Sequence, residues 1–143
     1  MTDPGLDDAI RVALSIGPWS SAWERTVDIT TIGARSGRPR RLEIWFHRVE
    51  GRWYLSSIPA ARDWYANLAK NPRFTFHLKH GVTADLSATA VLITDPEKKR
   101  PIFAAMVDDM NQPHNPARIP QPTRLDDWMV GSPLVEIVFD GVG

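Results

Sequence analysis

The sequence of 143 residues contains no cysteine, which excludes disulfide bonds, thiolate nucleophiles and zinc sites built from thiolates. Its 17 basic and 17 acidic side chains cancel, so the positive field of a general nucleic-acid-binding protein is missing and nucleic acid is not expected as a partner. No apolar run approaches the length of a membrane span. The N-terminus carries acidic residues where a signal peptide would carry positive charge, which favours a cytoplasmic location.

Common catalytic motifs are missing as well. The sequence has no Gly-x-Ser-x-Gly elbow, no Walker-type loop and no Gly-x-Gly-x-x-Gly loop, so hydrolase and nucleotide-kinase chemistry lose their usual support. The four histidines lack metal-ligand spacing with one another or with carboxylates, and no metal site is predicted. Asp28 and Asp85 lie within strand patterns, where they are expected to face solvent rather than to act as catalysts.

Alternating apolar residues predict about six largely antiparallel strands, with helices at the periphery. One domain over residues 1–143 is expected, because the chain is too short for two independent cores. So many strands in a short chain favour a small barrel, which removes its edges by closing on itself. The strands are predicted at 25–32, 41–49, 53–58, 73–78, 82–90 and 134–139, and the helices at 6–16 (within an N-terminal region of residues 1–17), 61–70 and 95–110.

Two further segments bear on function. The polar face of the N-terminal helix is acidic rather than basic, which favours a cover for the barrel over an anchor on a membrane surface. A proline-rich segment, residues 111–127, has four prolines between Asn111 and Pro122 and no periodicity. An irregular loop of this length is often a lid, and we expect it to cover the substrate, with disorder as the alternative.

The turn between the first two predicted strands, residues 33–41, gathers four arginines, a serine and two glycines. Like charges repel in so short a turn unless an anion lies among them. Guanidinium groups match the oxygens of a phosphate or carboxylate, and glycines let main-chain N–H groups approach the same anion. A solvated hairpin tip is the alternative, since turns are usually polar.

The features that remain after these exclusions fit a planar cofactor with an anionic tail. Six tryptophans is a high number for this length, and flat side chains line pockets for planar ligands as well as cores. Hydride transfer needs few protein acids or bases, because the chemistry belongs to the cofactor.

Several segments together resemble the deazaflavin (F-420)-dependent nitroreductase family of the flavin and deazaflavin oxidoreductases. The resemblance implies a split β-barrel of the FMN-binding type that binds coenzyme F-420. It also implies hydride transfer from the reduced coenzyme to a quinone, a nitroaromatic, an enone or a lipid-like acceptor. The segments that carry it are Thr31–Arg40, Ile44–Phe46, Asp63–Leu68 and Asn71–Arg73.

The resemblance also implies a set of site residues. The turn would grip the phosphodiester tail of the cofactor, while the second strand and the end of the third would flank the ring. The tail residues are Arg35, Ser36, Gly37 and Arg40, and the ring residues are Ile44, Trp45, Ser56 and Ser57.

Four more residues belong to this hypothesis. Arg62 would supply the cation that family members carry as a lysine in a longer glycine-rich segment. Trp64 and Asn67 extend the site from the following helix; core packing is the alternative for Trp64, and hydrogen bonding to the main chain for Asn67. Tyr65 is a candidate proton donor, with solvent as the alternative, and no side chain is otherwise assigned as catalytic.

Other functions stay open on the same barrel. One is a non-catalytic protein that binds or transports F-420, flavin, haem or a lipid. Another is an oxidase with FMN as its cofactor, because the terminal phosphate of FMN would also suit the arginines. The sequence does not decide which acceptor is reduced. It also leaves open whether a homodimer completes the pocket and whether the protein associates peripherally with membranes.

Overall fold

Six strands close into an antiparallel barrel in the computed structural model, which describes residues 4–17, 19–57, 63–111 and 125–140. The order around the barrel is β1-β2-β3-β6-β5-β4. This confirms the predicted barrel of six antiparallel strands. The strands are β1 (Thr26–Ile32), β2 (Pro39–Val49), β3 (Arg52–Ser56), β4 (Arg73–Leu78), β5 (Ala84–Leu92) and β6 (Leu134–Phe139).

Helices lie outside the barrel wall and at its ends. They are α1 (Pro4–Leu14), α2 (Ala22–Arg25), α3 (Asp63–Lys70), α4 (Pro96–Asn111) and α5 (Leu125–Gly131). The sequence predicted α1, α3 and α4 but neither α2 nor α5. Of the proline-rich segment, the structure describes the two ends, and both are helical. Asn111 is the last residue of α4, and Leu125 is the first residue of α5. The rest of the segment lies outside the described residues.

The barrel interior is built by side chains that alternate along the strands, most clearly in β1. Val27, Ile29 and Thr31 of β1 are buried, whereas the residues between them are partly exposed. Phe76 packs edge-on against both Phe46 and Phe139, with ring centroids 5.2 and 5.0 Å apart. Such contacts between aromatic rings add to the burial of large apolar surfaces and hold the opposite walls of the barrel together.

A second, smaller core lies outside the barrel. Tyr54 and Leu134 project from the outer face of β3 and β6 and contact Phe103, Met106 and Val107 of α4. These three helical residues recur at the spacing of one helix face, as the sequence predicted. The outer face of this part of the sheet is therefore covered by α4 and not by solvent.

The two ends of the barrel are covered by helices. Ile10 and Leu14 of α1 are buried in the barrel core, and Trp53 Nε1 donates a hydrogen bond to the Leu14 carbonyl (2.8 Å). At the end where β1 passes into the arginine turn, Trp64 and Leu68 of α3 are buried in the same core. The position of α1 is that of a barrel cover. Among the helices of the described residues, none is long and apolar enough to cross a lipid bilayer.

A buried ion pair joins α2 to α4. The Arg25 side chain, 1% exposed, donates to Asp109 Oδ2 (2.7 Å) and to the carbonyls of Gly17 (2.7 Å) and Ser20 (3.1 Å). Every partner is an oxygen, so the charge of the guanidinium is well compensated. The pair fixes the position of α4 against the chain segment that leads into β1.

His47 lies close to this ion pair and should make stability depend on pH. Burial and the positive charge of Arg25 lower the pKa of His47 from its ordinary value of 6.5 to about 4, and Asp109 opposes this shift only partly. Between these two values the unfolded chain binds a proton that the folded protein excludes, so stability falls as pH is lowered through that window. We expect the His47→Phe variant to lose this dependence when the free energy of unfolding is measured by urea titration from pH 7 to 4. An unchanged slope in the variant would contradict the assignment.

Candidate functional site

The arginine turn connects β1 to β2 through two main-chain hydrogen bonds. Gly33 N–H donates to the Arg38 carbonyl (2.8 Å), and Gly37 N–H donates to the Gly33 carbonyl (3.0 Å). Gly37 has φ +69°, a left-handed conformation that favours glycine. A Cβ at Gly33 would lie 2.5 Å from Ser36 Oγ, so Gly33 permits the serine to fold back over the turn.

Asn67 of α3 anchors this turn to the barrel. Its Oδ1 accepts from Ala34 N–H (2.8 Å) and its Nδ2 donates to Thr31 Oγ1 (3.1 Å), while the residue is only 7% exposed. Lys70 Nζ donates to the Ala34 carbonyl (2.7 Å) from the exposed side of the helix. The amide of Asn67 is thus used for internal hydrogen bonds, as the alternative hypothesis for this residue stated, and Asn67 positions the turn.

Removal of the Asn67 amide should therefore destabilise the protein. In Asn67→Leu, the Ala34 N–H and the Thr31 hydroxyl lose their partners, and an unsatisfied buried group costs about 1–3 kcal/mol. We expect the free energy of unfolding to fall by roughly 2–4 kcal/mol in urea titration. Lys70→Met is the matched control, because it removes an exposed contact to the same residue. Equal effects of the two substitutions would contradict the anchoring role.

A cavity of about 700 Å³ opens between the arginine turn and α3. It brings together five of the residues predicted from sequence: Arg35, Ser36, Arg40, Trp64 and Asn67. The remaining lining residues are Gly33, Ala34, Arg41, Leu42, Asp63 and Ala66. Gly37 is absent from the lining and acts on the site through the shape of the turn.

Of the arginines that line this cavity, one has an anionic partner and two do not. Arg41 donates to Asp28 (2.9 Å), so its guanidinium already has an anionic partner. Arg35 and Arg40 are exposed and form no ion pair or side-chain hydrogen bond with other described residues. Asp63 is the single carboxylate in the lining. Two uncompensated guanidinium groups at one cavity fit an anionic ligand such as a phosphodiester, whose oxygens accept charged hydrogen bonds.

Asp28 differs from the expectation that it faces solvent. Its side chain lies mostly covered on the outer barrel face, between Arg41 and Lys79 Nζ (2.8 Å). Burial raises the pKa of Asp28, but hydrogen bonds from Lys79 and Arg41 outweigh burial and hold the pKa below its ordinary value. Asp85 is largely exposed, as predicted, and contacts His77 Nδ1 (2.7 Å). Neither carboxylate lines the cavity.

The predicted ring residues are not gathered in one place. Ile44 packs inside the barrel, whereas Trp45 lies on the opposite face of β2, so the two cannot flank the same ring. Ser56 is buried and donates from Oγ to the Pro133 carbonyl. Ser57 Oγ is buried without a hydrogen-bond partner. Ile44 therefore belongs to the barrel core, and the contact of Trp45, Ser56 and Ser57 with a cofactor ring stays a prediction.

Three further residues lie away from this cavity or outside the described part of the chain. Arg62 lies outside the described residues. Tyr65 packs against the barrel core and the edge of Trp64, and it does not line the cavity. Ser132, which the sequence did not single out, also has a buried Oγ without a partner, and no motif in the sequence marks it. Within the described residues, no cluster of three or more histidines and carboxylates would hold a metal ion.

The family model of the F420H(2)-dependent quinone reductases matches residues 15–115, which is more than half of the chain. The chain belongs to this family. The matched region contains the arginine turn and all of α3 and α4, so it includes the whole cavity described above. Members of the family are oxidoreductases that use coenzyme F-420, which confirms the resemblance noted in the sequence and the assignment as an F-420-dependent reductase. No curated protein matches the sequence.

Solved structures share the barrel at low sequence identity. A conserved hypothetical protein of Mycobacterium tuberculosis is 20% identical, with TM-score 0.60 over 97% of this chain and 81% of that chain. The haem storage protein HutZ of Vibrio cholerae is 16% identical, with TM-score 0.56 over 81% and 82% of the two chains. An F420 reductase is 13% identical, with TM-score 0.53 over 81% and 86%. At these identities the structures show the common split-barrel fold of the family and not a shared ligand.

Proposed function

We propose that this reductase holds the phosphodiester tail of F-420 in the cavity between the arginine turn and α3 and reduces a quinone. The observation that carries the proposal is the presence of two unpaired guanidinium groups, Arg35 and Arg40, at one cavity. When bound, the reduced cofactor supplies a hydride to the acceptor. The protein supplies binding, orientation and exclusion of water.

Arg35 and Arg40 would share the tail. Arg40 is the second residue of β2 and pairs with Thr31, to which Asn67 donates, so the barrel holds the main chain of Arg40. Arg35 lies in the turn, whose geometry depends on Gly37 and on the hydrogen bond from Ala34 to Asn67. Ser36 Oγ accepts from Arg38 N–H (3.2 Å) and keeps its own proton available for donation to a phosphate oxygen. Asp63 would repel the tail and keep it on the arginine side of the cavity.

Ser57 is the best-supported contact for the ring. A buried hydroxyl without a partner costs free energy, and a polar atom of a bound ring would satisfy it. Trp45, on the outer face of β2, offers a flat apolar surface beside the same end of β3. Arg62 directly precedes Asp63 in the sequence, and its role as a further cation for the tail stays a prediction.

A competition titration separates the possible cofactors. F-420 and FMN compete for the protein, with binding followed by fluorescence, and oxidation of reduced F-420 is then measured with menadione. We expect F-420 to displace FMN and menadione to be reduced. Preference for FMN would contradict the cofactor assignment and favour the FMN-dependent oxidase. Tight binding of F-420 without turnover of any quinone or enone would favour a binding or transport protein.

Four further properties of the protein remain predictions. The protein is expected to form a homodimer, to associate peripherally with membranes and to be cytoplasmic, and the proline-rich segment is expected to cover the substrate. For the dimer, sedimentation at several protein concentrations is the appropriate measurement. For membranes, it is co-sedimentation with vesicles.

A further inference from the structure

A second cavity, of about 870 Å³, lies outside the barrel wall between α4 and the outer face of β2, β3, β5 and β6. Its volume is within the range of small-molecule pockets in proteins. Apolar side chains of Ile93, Ile102 and Met106 form one wall, and Met106 is fully buried. None of the residues that line the arginine-turn cavity lines this one, so the two cavities are distinct.

Two polar side chains lie side by side in this cavity without hydrogen-bond partners. His47 of β2 and Tyr54 of β3 face each other in the strand register, and each is only 4% exposed. Neither side chain hydrogen-bonds to another described residue, although both line the cavity. Among the described residues, the buried side-chain oxygens and nitrogens that lack a partner belong to Ser57 and Ser132, so the polar atoms of His47 and Tyr54 reach the open space of the cavity. A ligand with matching polar atoms can bind them there in place of water.

Both members of this pair are uncharged near neutral pH. Burial and the charge of Arg25 keep the pKa of His47 at about 4, and burial together with Glu136 raises the pKa of Tyr54. The tyrosine thus keeps its hydroxyl proton, and the neutral imidazole offers one donor and one acceptor. The polar pair itself therefore offers neutral hydrogen-bonding groups to a ligand.

The rim of the cavity carries both signs of charge. Three cations and three anions of the rim are exposed, Arg52 also lies 3.6 Å from the anion Glu136, and Asp109 is paired with Arg25, so one negative charge is in excess. This small excess gives no attraction for an anionic ligand and favours a neutral one. The exposed rim groups are Arg48, Arg52, Lys98, Glu50, Asp95 and Asp108.

We propose that this cavity binds the quinone acceptor, with its carbonyl oxygens accepting hydrogen bonds from Tyr54 and His47 and its ring against Ile102 and Met106. A quinone is planar, largely apolar and neutral, and it carries acceptor oxygens only, which matches the wall and the polar pair. The choice of a quinone rests on the proposed function. Trp45, which the proposed function places beside the cofactor ring, lies on the same outer face of β2 as His47, two residues or about 7 Å further along the strand.

The test uses cofactor-free protein and two probes of the same shape. Menadione has two carbonyl oxygens, and 2-methylnaphthalene has the same ring system and methyl group without them. We expect menadione to quench tryptophan fluorescence saturably. Tyr54→Phe, which removes one oxygen atom, should weaken menadione binding about fivefold, as loss of one hydrogen bond does, and leave 2-methylnaphthalene unchanged. Ala105→Phe, which fills the cavity from α4, should weaken both probes at least about tenfold.

Controls separate binding from folding. His80→Phe is matched to His47→Phe, because His80 stacks on Trp23 away from this cavity. His47→Phe should weaken menadione binding and His80→Phe should not, with thermal melting used to confirm that each variant is folded. If His47→Phe does not fold, Tyr54→Phe decides. If neither Tyr54→Phe nor Ala105→Phe changes the affinity for menadione, the proposal is overturned.

The use of cofactor-free protein also distinguishes the two proposals. Failure of the wild-type protein to bind F-420 would count against the tail site and leave the menadione result standing. Intact F-420 binding together with insensitivity of menadione to the cavity variants would overturn the acceptor cavity alone.

Discussion

Replacement of both Arg35 and Arg40 by alanine should weaken F-420 binding by at least about 100-fold, because each loses charged hydrogen bonds worth about 1.5–3 kcal/mol to the phosphodiester. Each single substitution should weaken binding by roughly 10- to 150-fold on the same basis. Both side chains are exposed and unpaired, so their removal should leave the free energy of unfolding almost unchanged. Isothermal titration or fluorescence quenching of F-420 measures the affinity, and urea titration measures the stability.

Arg38 provides the matched control for this prediction. It belongs to the same turn and is exposed, but it does not line the cavity. Arg38→Ala should therefore change the affinity for F-420 by less than about threefold, through the general field of the turn alone. If Arg38→Ala weakened binding as much as Arg35→Ala or Arg40→Ala, the turn would act as a diffuse positive patch and not as a grip on the tail.

Asp109→Asn should lower the free energy of unfolding by about 3–5 kcal/mol, because it leaves the Arg25 guanidinium buried without its countercharge. For a chain of this length the melting temperature should fall by roughly 10–20 °C. The size of the effect follows from the 1% exposure of Arg25, since an exposed pair contributes only about 0–1 kcal/mol. Thermal melting followed by circular dichroism and urea titration are the measurements.

Two further variants test this interpretation of Asp109. Asp108→Asn changes the neighbouring, exposed carboxylate and should alter stability by less than about 0.5 kcal/mol. The double variant Arg25→Met with Asp109→Leu removes both charges, and it should recover much of the stability that Asp109→Asn loses. Loss of less than about 1 kcal/mol in Asp109→Asn would show that water compensates Arg25.

The barrel can be predicted from the sequence because its signals are local. Alternation places Val27, Ile29 and Thr31 on one face, and the same rule applied to Ile44 and Trp45 separates them onto opposite faces. The turn is also a local signal, because its arginines and glycines all fall within residues 33–41. The third strand ends at Ser56 and not at the predicted Ile58, a boundary that periodicity alone does not fix.

Contacts between distant parts of the chain are what the sequence leaves hidden. Arg25 and Asp109 are 84 residues apart, and neither lies in a motif. The four-residue helix α2 is too short for periodicity, although the capping box of Ser21 and Glu24 marks its start. The pairing of His47 with Tyr54 becomes visible only when the register of β2 and β3 is known.

The structure also changes the role of Asn67. The sequence predicts Asn67 at the cofactor site, with hydrogen bonding to the main chain as the alternative. Its hydrogen bonds to Ala34 and Thr31 make it the anchor of the turn. Arg35 and Arg40 thus belong to a turn that α3 holds in position. Because the turn is already ordered, binding of the cofactor costs less conformational entropy.

The placement of the cofactor tail is tested most directly by one comparison of affinities. Intact F-420 and its deazaflavin fragment without the phosphodiester tail are titrated into the wild-type protein and into the Arg35→Ala/Arg40→Ala double variant. We expect the wild-type protein to prefer intact F-420 by at least about 100-fold and the double variant to bind both ligands with nearly equal affinity. Retention of the full preference for the tail in the double variant would contradict the assignment of these arginines.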